Sequence, residues 1–126
     1  MNKSKAAGTR AETAVVRFLE EREIQARRKA LAGSHDEGDV EVIGIPRFNG
    51  SVVLEIKAGK QTINPNRSLL TEWLRQAKKE GEQSNQFPFL VVVRYKHKLA
   101  DADVWFETGK VRHHLYLDEL PEYLAN

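Results

Sequence analysis

The stretch GDVEVIGIPRFNGSVVLEIK, residues 38–57, decides the fold. Asp39-Val40-Glu41-Val42-Ile43 alternates polar and apolar side chains at period two, the pattern of a half-buried strand. Gly44 to Gly50 is a connection ending in Asn49-Gly50, a pair that accepts the left-handed conformations of a tight turn. Ser51 to Lys57 then returns as an antiparallel neighbour. Along that second strand Val52, Leu54 and Ile56 share one face, whereas Val53, Glu55 and Lys57 share the other. Glu55 and Lys57 are therefore expected side by side, with Asp39 at the start of the partner strand, so that three charged residues converge on one sheet edge.

Working outward, Ala11, Ala14, Val15, Phe18 and Leu19 recur at helical spacing and predict an amphipathic helix from Thr9 to about Glu23. Thr9 three residues ahead of Glu12 is a capping-box pattern, which offers Glu12 a purely structural role. Residues 27–38 are hard to parse beyond a Gly33–Gly38 loop. Downstream, Leu69, Leu70, Trp73, Leu74 and Ala77 predict a second helix running to about Gly81, where glycine can end it. Phe87 to Tyr95 reads as a strand buried on both faces, and a strand–helix–strand passage into it predicts a parallel, helix-covered pairing. Val104–Glu107 and Val111–Leu117 are shorter strands around Gly109, and Leu117–Leu124 closes the chain with a short helix. The expectation is a single α/β domain over 1–126, a mixed central sheet flanked by helices in the order α-β-β-α-β-β-β with the short helix last.

Composition narrows the function. A length of 126 residues suits one core. No apolar run approaches the roughly 18 residues that a membrane helix needs. The polar, basic residues 1–10 do not form a secretory signal, and an intracellular, cytoplasmic location is the expectation. Without cysteine, neither a disulfide framework nor a thiolate zinc site is available, so a metal would be held by oxygen or imidazole and hard cations are favoured. The net charge of +2 is small, but residues 1–29 carry eight Lys/Arg against four Glu, whereas residues 101–126 carry six acids against two bases. A basic face for a polyanion lies towards the N-terminal half.

Two neighbouring carboxylates repel unless a cation lies between them, so Asp39 and Glu55 are costly as structure and sensible as a metal site, beside which Lys57 offers positive charge to a phosphate. The alternative is a solvent-facing strand surface. The joint pattern goes further. Gly38-Asp39, the hairpin and Leu54-Glu55-Ile56-Lys57, together with the opening Lys5-Ala6-Ala7-Gly8-Thr9-Arg10-Ala11-Glu12, the basic Arg27-Arg28 and the Ala32-Gly33-Ser34 loop, resemble the PD-(D/E)XK nuclease superfamily and, within it, the archaeal-type and phage Holliday-junction resolvases. The resemblance covers residues 5 to about 95, with Gly38 standing where the naming motif has proline. Asp36, Glu37 and Glu41 lie close by, but Asp39 alone among the four begins the strand.

The resemblance implies a restriction-endonuclease-like fold and a metal-dependent endodeoxyribonuclease. It implies that Asp39 and Glu55 ligate Mg²⁺, for which Mn²⁺ substitutes, that Ile56 adds its carbonyl, and that Lys57 orients or activates the attacking water. Glu12 matches an acid presented from the first helix, Ser34 a serine near the cleaved strand, and Gln76 a supporting glutamine of the second helix. Lys3, Lys5, Arg10, Arg27, Arg28 and Lys29 would hold DNA phosphates without reading bases. The substrate implied is a four-way junction, whose symmetric cutting calls for a homodimer. Two other readings stand beside it: a nuclease of the same fold acting on flaps, nicks or single strands, and a DNA-binding module without chemistry.

Overall fold

A computed structural model describes residues 3–29 and 38–126, the side chains of residues 3–7, 38 and 39 excepted. Helix α1 spans Lys3–Glu20 and is followed by the short strand β1, Ala26–Arg28. The hairpin of β2 (Gly38–Ile45) and β3 (Gly50–Lys57) comes next, then α2 (Arg67–Ser84), β4 (Phe87–Val92), β5 (Asp103–Thr108), β6 (Val111–Tyr116) and α3 (Leu120–Ala125). The six strands form one mixed sheet in the order β1-β2-β3-β4-β5-β6. Only β3 and β4 run parallel, joined by α2, and every other pair is antiparallel.

The hairpin forms as its sequence requires. Asn49 takes a left-handed φ of 57° and Gly50 a φ of 103°, after a 3₁₀ turn at Pro46–Phe48. Val40, Val42, Val52, Leu54 and Ile56 pack with Ala11, Val15, Phe18 and Leu19 of α1 and with Leu120 and Leu124 of α3. The opposite face carries α2, where Trp73, Leu74 and Ala77 cover Leu90 and Val92. The sheet is thus sandwiched between α1 and α3 on one side and α2 on the other. Among the described residues no helix is long and apolar enough to cross a membrane.

Three expectations are corrected. The element order gains a strand, because Ala26–Arg28 pairs with Val40–Val42; a three-residue edge strand is too short to show a period and is recruited by main-chain pairing. Helix α1 begins at Lys3, six residues before Thr9. Thr9 is therefore interior, where its carbonyl accepts from Thr13 Oγ1, and the capping-box account of Glu12 falls away. Helix α2 continues past Gly81 to Ser84 and is closed by Asn85 at a φ of 56°. Gly81 is instead a point of close approach: a Cβ there would lie 2.7 Å from the Gln86 carbonyl oxygen and 3.0 Å from Pro88.

Candidate metal-dependent active site

The parallel register fixes which way the charged pair faces. Glu55 lies beside Leu90 and Lys57 beside Val92, and neighbours in a ladder project to the same face, so both side chains belong to the α2 side. Each is only 4% exposed. Their charged groups are 3.7 Å apart, close enough to interact and longer than a hydrogen bond. In the antiparallel ladder the residue opposite Glu55 is Asp39, and Gly38 stands opposite Ile56. The backbone of Asp39 thus stands beside Glu55 at the end of the sheet where β3 and β4 finish and β2 begins, with Lys57 two residues further along β3. Ile56 places its side chain in the α1-side core at 3% exposure, so its expected contribution concerns only the carbonyl between Glu55 and Lys57.

Glu12 is also buried, at 4% exposure, but it comes from the helix covering the other face. Its Oε1 accepts from Arg28 Nε at 2.8 Å, and Arg28 shares the α1-facing parity of Ala26 in β1. The structure therefore joins Glu12 to Arg28, while Glu55 and Lys57 pair on the α2 side.

Arg27 of β1 and Lys29 just after it are likewise matched by acids. Arg27 donates to Glu41 Oε1 at 2.9 and 2.6 Å, and Lys29 contacts Glu80 of α2 at 3.0 Å. For Glu41, burial raises the pKa, but hydrogen bonds from Arg27 and Gln86 outweigh it and hold the carboxyl below the usual range. Arg10 is exposed. Ser34 lies outside the described residues, as do the side chains of Lys3 and Lys5.

On α2, Gln76 is half-buried and donates weakly to Glu72 Oε1 at 3.5 Å, while its own Oε1 is buried and accepts no hydrogen bond among the described residues. Glu72 is the residue that sequence reasoning missed. Hydrogen bonds from Arg75 hold its carboxyl below the ordinary range, desolvation opposes them, and the charge of Lys57 adds to the lowering. Glu72 lies one turn from Gln76 on α2, the helix that covers the Glu55–Lys57 face of the sheet. The i, i+4 spacing of Glu72 and Gln76 was the available signal.

A groove lined by Phe48, Leu74, Phe87 and Pro88 opens beside the hairpin turn at the opposite end of the sheet, away from this cluster. No protein family, curated protein or solved structure matches the chain.

Proposed function

We propose that this chain is a Mg²⁺-dependent, structure-selective DNA endonuclease of restriction-endonuclease-like fold, acting as a Holliday-junction resolvase. The observation that carries the reading is the burial of Glu55 and Lys57 side by side on a strand whose register partner at Glu55 is Asp39. A buried carboxylate and ammonium cost several kcal/mol each in lost hydration, a cost that a packed apolar pair would avoid. Retaining them with a second acid across the ladder fits a site for a cation and a phosphate.

The donor set suits the metal. Carboxylates and a main-chain carbonyl are hard oxygen ligands of the kind Mg²⁺ prefers. Asp39, Glu55 and the Ile56 carbonyl would hold it, and when bound it supplies a water of lowered pKa and neutralises charge at the phosphate. Lys57 presents its ammonium to the attacking water or to a phosphate oxygen. Gln76 of α2, the helix on the same face of the sheet, has a buried carbonyl that would accept from a proton donor in the site. Glu12, on the α1 side of the sheet, would have to release Arg28 to join the metal as a third acid, or else serves by aiming Arg28 at DNA. In the reaction, water oxygen bonds to phosphorus and the P–O3′ bond breaks, leaving a 5′-phosphate and a 3′-hydroxyl. Symmetric cutting of a junction requires two copies related by a two-fold axis.

The test is direct. Asp39→Asn and Glu55→Gln are expected to abolish Mg²⁺- or Mn²⁺-dependent cleavage while leaving junction binding in place; normal cutting by either variant rejects the site. A panel of four-way junction, flap, nicked duplex and single strand then fixes the substrate. Equal cutting of all four rejects the resolvase assignment and leaves a nuclease of the same fold. Binding without cleavage in either metal leaves a DNA-binding module.

A further inference from the structure

The cations in and just after β1 are an incomplete account of how a polyanion would be held, since Arg27, Arg28 and Lys29 each already face an acid. A different group of cations lies elsewhere on the molecule. Lys57–Thr71 contains no Asp or Glu, and neither does Gln83–Ala100. Within these stretches Lys60, Lys96 and Lys98 are exposed, and among the described residues none of them forms an ion pair. Arg94, by contrast, is engaged by Asp103 at 3.8 Å.

The two loops that carry these lysines are fastened together at the end of the catalytic strand. Val93 N–H donates to the Lys57 carbonyl at 2.8 Å. Thr62, fully buried, places its hydroxyl 2.8 Å from the Gly59 carbonyl and 3.1 Å from that of Val93, and accepts from Tyr95 N–H at 2.8 Å. Lys96 then turns through a left-handed φ of 59°, with Nζ 5.4 Å from the Tyr95 ring centroid. Both loops leave the carboxyl ends of the parallel pair β3 and β4, the edge of an α/β sheet at which ligands collect. The two loops, in which Asp101 is the one acid, therefore present cations on a braced frame beside Lys57.

We propose that Lys60, Lys96 and Lys98 form a second nucleic-acid backbone contact at the rim of the Lys57 site, distinct from the β1 cations. The partner chemistry is the phosphate backbone, since lysine ammonium groups supply charge and not base recognition. The inference rests on the nuclease reading and extends it by naming where the second stretch of backbone lies.

The experiment measures binding of a labelled four-way junction and of a linear duplex by fluorescence anisotropy, with Ca²⁺ replacing Mg²⁺, over about 50 to 200 mM salt. Lys96→Ala/Lys98→Ala is expected to weaken binding about tenfold at the low-salt end. It should also flatten the slope of log K against log salt by about one per lysine, with Lys60→Ala giving one such step. Lys110→Ala, in the β5–β6 turn at the opposite end of the sheet, should change neither quantity. Unchanged affinity and slope in the double variant overturn the inference, as does an equal loss in the Lys110 control. If the wild-type chain binds neither DNA, this contact and the nuclease reading fall together; if it binds and cuts while the lysine variants behave as wild type, only this contact falls.

Discussion

Glu55 and Lys57 concentrate the argument into two side chains. Removing one partner of a buried ion pair leaves the other uncompensated, at a cost of about 3 to 5 kcal/mol. Lys57→Ala is accordingly expected to lower the melting temperature in metal-free buffer, and Mg²⁺ should restore part of the loss because it replaces the missing charge. Glu55→Gln should remove the response of the melting temperature to Mg²⁺ altogether. A wild-type melting curve indifferent to Mg²⁺ at millimolar concentration would count against a metal site at Glu55, whatever the activity assay gives. These two residues were legible because the period of a strand is local: parity alone puts them on one face. Glu72 was not legible in the same way. A helical period tells which residues share a face, but not which end of which strand that face will cover.

Elements carry their own tests. Gly→Ala inside a helix usually stabilises by up to about 1 kcal/mol. At Gly81 the sign should reverse, because the added Cβ would meet the main-chain oxygen of Gln86 at 2.7 Å, and overpacking of this kind costs about 1 to 3 kcal/mol. Chemical denaturation of Gly81→Ala reads the sign directly. Thr62→Val addresses the join between the two loops at the end of β3. Losing the hydroxyl leaves the Tyr95 N–H, which it accepts from at 2.8 Å, without its acceptor, at a cost of about 1 to 3 kcal/mol. Amide hydrogen exchange should speed up at Tyr95 and Ile63 while β2 and β3 stay protected; uniform acceleration across the sheet would mean that the loop is not a separate unit. Neither effect follows from composition, since Gly81 and Thr62 look like ordinary helix-end and loop residues until the chain returns against them.

For the molecule as a whole, acid sensitivity follows from how α2 is tied to the sheet. Lys78 of α2 donates to Glu107 of β5 at 2.8 Å, and this bond, with Arg112 adding to it against desolvation, holds the Glu107 carboxyl below its ordinary value of 4.5. A carboxyl whose pKa is depressed by folding contributes stability that is complete above its unfolded pKa and is lost as pH falls through the folded one. The contribution should therefore be intact at neutral pH and decline below about pH 4.5. Glu107→Gln should lower stability at pH 7 and narrow the difference between pH 7 and pH 3; an unchanged acid profile would show that other carboxyls set it. The pair is partly exposed, so the effect is modest.

Local pattern determined a good part of this. The β2–β3 hairpin, the face shared by Glu55 and Lys57, the two amphipathic helices and the final β-β-helix run all depend on residues within a few positions of one another, and neighbour chemistry settles such features before any long-range contact forms. Long-range packing decided the rest. Residues 26–28 became a strand only because β2 offered an edge, and α1 reached back to Lys3 past a residue that looked like its cap. The parallel pairing of β3 with β4 brought α2 down over the Glu55–Lys57 pair. The same pairing set the loops bearing Lys60, Lys96 and Lys98 at one rim, while the packing of α1 against β1 joined Glu12 to Arg28 on the far face. These outcomes depend on which surfaces meet across tens of residues, a choice governed by total apolar burial and main-chain pairing that no local spacing records.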